Sequence, residues 1–202
     1  MSIIKIALTG GIASGKTQMS RLFAEKGVLV IDMDVAAREV TRPKTVAYQA
    51  LIAEFGSQIL QVDGTLNRAL LRKMMFNNAQ IKQTIEHIVQ PKILQWVEEK
   101  LSTMNAGMVL IVVPPLNEKK LADLYDSIIV IDCNEQVQIK RLMARDRISK
   151  KQAKSILAQQ VSRANRQAFV KQHTNVYLVD NSNGKQHLAK QADALFQLFN
   201  IE

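Results

Sequence analysis

Apolar and polar positions follow two rhythms along this chain. Short runs of aliphatic, mostly β-branched residues recur at 3–8, 28–31, 108–113, 127–132 and 176–179, each closed by glycine, proline or a polar cluster. Runs of this length and composition read as strands covered on both faces. Between them the apolar spacing changes to the helical period. The stretch 17–26 puts Met19, Leu22 and Phe23 on one face and stops at Gly27. A helix through 40 follows the second strand, with Asp34 as its cap. From 44 to 107 no strand is apparent. Helices are expected there at 45–55, 66–76, 78–89 and 91–101, with Asp63-Gly64 as a turn and Pro91 in a first helical turn. After the fourth strand, Asn134 caps a helix through 145. Ser149 and Gln152 have capping-box spacing, and 187–199 is a terminal amphipathic helix.

Five apolar strands separated by helices predict an α/β fold with a parallel sheet covered on both faces. The strand-free region 44–107 reads as a helical insertion within one domain spanning 1–202. Composition narrows the class: 47% apolar and 22% charged residues exclude a disordered chain. A single cysteine, Cys133, forms no internal disulfide, which suits a reducing cytoplasm. No apolar run approaches the roughly 20 residues of a membrane span.

The net charge of +9 admits nucleic acid, an acidic membrane or a polyphosphate as partner. Its location discriminates among them. Residues 138–171 hold ten basic residues and one acidic residue, so this segment carries the whole surplus. Its one aromatic, Phe169, leaves no series of base-stacking platforms.

The candidate chemistry begins at the end of the first strand. Gly10-Gly11-Ile12-Ala13-Ser14-Gly15-Lys16-Thr17 matches G-x-x-x-x-G-K-[ST] between a strand and a helix. In such a loop backbone N–H groups surround phosphates, Lys16 reaches the β- and γ-phosphates, and the Thr17 hydroxyl ligates Mg²⁺. A guanine-reading N-K-x-D tetrapeptide is absent, which disfavours a GTPase. Asp32 and Asp34 follow the second strand and, in an extended stretch, point to one side. One can serve an attacking hydroxyl and the other the Mg²⁺ water shell; the bland alternative leaves Asp34 as a helix cap. Asp132 also ends an apolar strand, and its plainer reading is strand end and cap. Arg141, Arg145, Arg163 and Arg166 fall on two helical stretches at helical spacing. They are expected to form a lid, 141–170, closing inward over a triphosphate. The alternative is a solvated basic helix pair.

Taken in order, these elements resemble the dephospho-coenzyme A kinase family. The resemblance is carried by 7–17, by Val30-Ile31-Asp32-Met33-Asp34 with Ala37-Arg38, and by Asp63-Gly64-Thr65-Leu66-Asn67-Arg68 with Leu71-Arg72. Residues 112–118, 138–146 and Val179-Asp180-Asn181 complete it. It implies a P-loop kinase core with strand order 2-3-1-4-5, a helical acceptor domain and a lid. The implied reaction transfers phosphate from ATP, with Mg²⁺, to the 3′-hydroxyl of dephospho-coenzyme A in the cytoplasm. The implied base is Asp34. Residues 10–17, Arg141 and Asn181 fall to ATP; Asp34, Arg68, His87 and Arg145 fall to the acceptor. Lys16, Arg141 and Arg145 stabilise the transferring group, and Thr17 and Asp32 serve the metal. The chain departs from the family pattern at Ala13, where glycine is common, at Gln90-Pro91 in place of His-Pro, and at Pro115. His87, one turn before Gln90, is the candidate substitute. No nucleic-acid or membrane partner is implied, and a monomer or weak homo-oligomer is expected. Another small-molecule kinase and a nucleic-acid-stimulated ATPase are the competing readings.

Overall fold

A computed structural model describes residues 3–114 and 124–199. The motif at Pro115 and residues 116–118 lies outside the described residues. The chain divides into two compact units, residues 1–32 with 105–202, and residues 33–104.

The first unit is a five-stranded parallel sheet of order β2-β3-β1-β4-β5. Its strands are β1 (Ile3–Gly10), β2 (Leu29–Asp32), β3 (Gly107–Val112), β4 (Ser127–Asp132) and β5 (Val176–Asp180). Leu8 of β1 lies beside Val112 of β3 and Ile129 of β4, so the strand carrying the glycine-rich loop is central. Helices α1 (Lys16–Ala24) and α9 (Lys185–Phe199) pack together. Met19, Phe23, Leu188 and Phe199 join Ile6, Leu8, Leu110 and Ile131 in one core. That burial accounts for the near-continuous apolar reading of the strands. After β4 come α6 (Glu135–Asp146), α7 (Lys150–Ala158) and α8 (Arg163–Gln172). Asn134 accepts the Val137 N–H at the head of α6, and the Ser149–Gln152 capping box forms at the head of α7. The basic segment is thus three helices, where two were expected. Gln159 and Gln160 end α7, and Ser162 caps a separate α8 by accepting the Asn165 N–H.

The second unit is helical: α2 (Met33–Val40), α3 (Val46–Phe55), a 3-10 turn (Ser57–Ile59), α4 (Arg68–Asn77) and α5 (Ala79–Leu101). Leu51, Ile59, Leu66, Leu71 and Ile85 form its core. Thr45, Asn67 and Asn78 cap α3, α4 and α5 with their side-chain oxygens. The expected break before Pro91 does not occur, and α5 runs through it. Proline forfeits one backbone hydrogen bond there, about 3 kcal/mol. Packing of α5 against α2, α3 and α4 outweighs that local loss. Asp34 is also not a cap, because β2 ends at Asp32 and α2 begins at Met33, which places Asp34 in its first turn. The extended geometry that would aim Asp32 and Asp34 alike therefore does not exist.

Candidate active site

The loop between β1 and α1 owes its shape to three residues in the left-handed half of backbone space. Gly10 has φ 146° and Gly15 has φ 113°. A Cβ on Gly10 would collide with the Ile131 carbonyl, and one on Gly15 with the Asn181 amide, so only glycine fits. Ala13, with φ 56°, takes the same half of the map without glycine's freedom. Helix α1 starts at Lys16 with no side-chain cap. Among the described residues, the N–H groups of Ala13, Gly15 and Thr17 donate to nothing. Unshared N–H groups at a helix start, with a lysine among them, form an anion-binding cradle. Lys16 Nζ lies across the loop, donating to the carbonyls of Gly10 at 2.7 Å and Gly11 at 3.2 Å.

The loop's carbonyls are held from outside. Gln138 Nε2 donates to Ile12 O at 2.9 Å, and Asn181 Nδ2 donates to Ser14 O at 2.7 Å. Arg141 donates from Nη1 to Ala13 O at 3.4 Å and Ser14 O at 3.3 Å, and from Nη2 to Asn181 O at 2.9 Å. With the carbonyls drawn outward, the N–H groups are left for a ligand. A further loop link is the Ile12 N–H, which donates to Gln160 Oε1 at 2.9 Å.

The arginines of the basic segment separate into distinct roles. Arg163 Nε and Arg166 Nη2 both donate to the Asp132 carboxylate, Arg166 at 3.2 Å. Asp132 is only 1% exposed. It is an ionic anchor for α8, and the cap of the next helix is Asn134. The bond to Asp132 raises the Arg163 pKa above the ordinary guanidinium value. Arg145 instead turns to its exposed neighbour, donating from Nε to Asp146 at 2.7 Å. Cys133 is buried beside Arg141, and burial pushes its thiol pKa up. The inward-facing hairpin of four arginines is therefore not what forms. Arg141 braces the loop, Arg163 and Arg166 bind Asp132, and Arg145 pairs in solvent.

In the helical unit a cavity of about 410 Å³ is lined by Asp34, Arg38, Thr41, Arg68 and Arg72 together with apolar side chains from α3, α4 and α5. Arg68 Nη2 donates to the buried Thr41 hydroxyl at 3.0 Å and to Arg38 O at 3.4 Å. Burial, and then the nearby Arg38 charge, lower the Arg68 pKa from its ordinary value. A half-apolar cavity with three arginines and one carboxylate suits a ligand with anionic and apolar parts. His87 lies on α5 but is exposed and does not line this cavity.

Comparison with known proteins decides the class. The family model described as dephospho-CoA kinase matches residues 4–186. The chain belongs to the dephospho-CoA kinase family. It is accordingly a kinase that uses ATP. The dephospho-CoA kinase of Vibrio cholerae is 43% identical over 165 residues, covering 81% of this chain and 82% of that protein. That of Yersinia pseudotuberculosis is 39% identical over 190 residues, 94% and 90% of the two chains. Among solved structures, TT1252 from Thermus thermophilus aligns over 98% of both chains with a TM-score of 0.81 at 22% identity. The dephospho-CoA kinase of Campylobacter jejuni aligns over 98% of both with a TM-score of 0.66 at 22% identity. A shikimate kinase from Bacteroides thetaiotaomicron reaches 0.52 at 16% identity, covering 96% and 97%. These structural likenesses establish the P-loop kinase fold.

Of the candidate residues in this kinase, Gly10 to Thr17, Arg141 and Asn181 come together in the first unit. Asp34 and Arg68 share the cavity of the second. Asp32 ends β2, paired in register with Val112. Gln138, Gln160 and the partnership of Asp132 with two arginines were missed. Glutamines carry no charge or periodicity to mark them, and the partners of Asp132 lie 31 and 34 residues further on.

Proposed function

We propose that this kinase transfers the γ-phosphoryl group of ATP to the 3′-hydroxyl of dephospho-coenzyme A, giving coenzyme A and ADP. The observation that carries the reading is the family match over residues 4–186, which runs through both compact units. The phosphate cradle and the arginine-lined cavity support it. The acceptor oxygen bonds to the γ-phosphorus as the bridging oxygen leaves with ADP. Asp34 orients the hydroxyl and takes its proton. Lys16 neutralises the phosphates over the loop, Arg141 braces the loop from behind, and Arg145 exchanges Asp146 for phosphate oxygens. Arg68 grips an anionic group of the acceptor.

The residues fit Mg²⁺. The Thr17 hydroxyl is exposed in the first turn of α1, and no group of three His, Cys, Asp or Glu side chains forms a metal cluster among the described residues. One hydroxyl with an aspartate in the water shell suits a hard ion that keeps most of its waters and takes phosphate oxygens. Thr17 and Asp32 would hold it, and it would supply neutralisation of the charge on the phosphates. We place the reaction in the cytoplasm, carried out by a monomer or weak homo-oligomer without nucleic acid or membrane. No helix among the described residues is long and apolar enough to cross a bilayer.

The test offers ATP and Mg²⁺ with dephospho-coenzyme A, and separately with a nucleoside panel and with RNA, and identifies products by mass. Phosphate gain by dephospho-coenzyme A alone is expected. Preferred transfer to a nucleoside, or RNA-stimulated hydrolysis without a phosphorylated acceptor, overturns the reading.

A further inference from the structure

Both backbone polar groups of Ile12 are tied to glutamines of the basic segment, and the two ties have different origins. The Ile12 carbonyl is held by Gln138, buried on α6, the helix that also carries Arg141. The Ile12 N–H is held by Gln160, half-buried in the turn between α7 and α8. Among the described residues, this is the hydrogen bond by which that turn reaches the phosphate loop. The side chains agree with the backbone: Ile12 and Ala13 pack against the small apolar cluster of Ile139, Leu142 and Ala153 that joins α6 to α7. The residue after Ile12 is Ala13 at φ 56°, a conformation that an alanine keeps only where its surroundings over-determine it. The Gln160 bond fixes the Gly11–Ile12 peptide, the one immediately before the peptide that enters the strained residue, which Gln138 holds.

We propose that Gln160 is a positioning residue for phosphoryl transfer, coupling the α7–α8 turn to the phosphate loop. With the turn down, its carbonyl oxygen holds Ile12 and offsets the left-handed Ala13, so the cradle stays formed. With Gln160 withdrawn, Ala13 relaxes, the binding-competent fraction of the loop falls and nucleotide affinity falls with it. The inference rests on the reading that this loop binds ATP. What Gln160 supplies is an acceptor, so glutamate replaces it and methionine of similar length does not.

The test measures ATP affinity by calorimetry, steady-state kinetics and melting temperature for Gln160→Met, Gln160→Glu, Ala13→Gly and the Ala13→Gly, Gln160→Met double variant. A neutral hydrogen bond predicts that Gln160→Met weakens ATP binding about three- to tenfold, as a rise in KM for ATP with kcat at saturation little altered. Gln160→Glu is expected to stay within about twofold of the parent, since it keeps the acceptor oxygen. In the Ala13→Gly background the loss from Gln160→Met is expected to shrink below about twofold, because glycine leaves no left-handed penalty to offset. Should Gln160→Met fail to fold, Gln160→Ser, too short to reach Ile12, takes its place. Unchanged ATP affinity in a folded Gln160→Met protein overturns the proposal. So does an equal loss in both Ala13 backgrounds, or a Gln160→Glu variant as weak as Gln160→Met. A parent protein that binds no ATP is a different outcome and overturns the nucleotide-site reading itself.

Discussion

Replacing Asp132 by asparagine removes one negative charge with almost no change of shape. Asp132 is 1% exposed and its partner Arg166 has a side chain 6% exposed, so the charge left behind on Arg166 stays out of water. Arg166 Nε is buried without a hydrogen-bond partner among the described residues, so the guanidinium has little to fall back on. Breaking a buried pair on one side costs about 3–5 kcal/mol, and the asparagine's remaining acceptor oxygen argues for the lower end, about 3 kcal/mol. Arg163 is 44% exposed in its side chain, and solvent screening limits its share to about 0.5 kcal/mol. At about 2–4 °C per kcal/mol for a chain of this size, the melting temperature should fall by roughly 6–12 °C. Calorimetry at low and high salt would measure it, and the loss should change little with salt because the Arg166 pair is buried. The Asp132→Asn, Arg166→Met double variant should recover part of the loss, since it removes the orphaned charge. The competing idea is that Asp132 serves a metal, as an aspartate at a strand end can. A variant that melts within about 2 °C of the parent while losing turnover and its Mg²⁺ response would refute the anchor and favour that idea.

Three further outcomes follow from the same geometry. Lys16→Ala should lower kcat by at least about 100-fold while melting near the parent temperature, because the bonds from Nζ to the carbonyls of Gly10 and Gly11 are ones that water can replace. Undiminished turnover would remove Lys16 from the site. In the helical unit, Arg68→Ala should raise KM for the acceptor about tenfold with kcat largely kept, and Thr41→Val, which deletes only the hydroxyl Arg68 leans on, about threefold in the same direction. Alkylation followed by mass spectrometry should leave Cys133 unmodified at pH 8 in the folded protein and modify it in guanidinium. Burial raises the thiol pKa, and the thiolate that reacts is scarce until pH climbs past that raised value.

The sheet was legible because its signals are local. Aliphatic runs with abrupt glycine or polar ends predict β4 at Ser127–Asp132 without error, β2, β3 and β5 to within a residue, and β1 to within two. Helix starts at Asn134 and Ser149 were equally legible, because the capping oxygen and the N–H it accepts lie three residues apart. Pro91 shows where local reasoning stops. Its propensity penalty is real, yet the packing of α5 against α2, α3 and α4 keeps the helix whole. The phosphate loop could be read from its spacing, and Ala13 could be flagged as a strained position only on condition of a positive φ, which it has. Of the residues that shape that loop from behind, Arg141 and Asn181 came only with the family resemblance, and the bonds themselves could not be read. Gln138, Gln160 and Asn181 reach it from 126 to 167 residues away, and nothing in their type announces that they bond a peptide group. Gln191 does the same at β5, accepting from the Asp180 N–H and donating to its carbonyl. A glutamine amide offers one donor and one acceptor, matching a peptide unit, and proximity alone selects which peptide it serves.

The basic surplus takes on a different meaning once its residues are sorted by type. Arg141 and Arg166 turn inward onto loop carbonyls and Asp132, and the exposed Arg163 also reaches Asp132. The lysines at 140, 150, 151, 154 and 171 stay exposed with Arg147, and none of the six forms an ion pair among the described residues. Arg145 and Arg147 also stay outside, so hydration explains only why the inward places go to arginine and none to lysine. A guanidinium sheds water at lower cost and bonds two acceptors in one plane, so it can leave solvent for a built partner, whereas an ammonium keeps its shell and stays outside. The inward arginines therefore shape the site, while the outward lysines create a positive field that fades over about 8 Å at physiological salt. A field of that range cannot replace a contact once a polyphosphate is bound. Its effect falls on the approach of the anion, so the surplus read from sequence as one counter-charge divides into a structural part that sets geometry and a surface part that sets encounter.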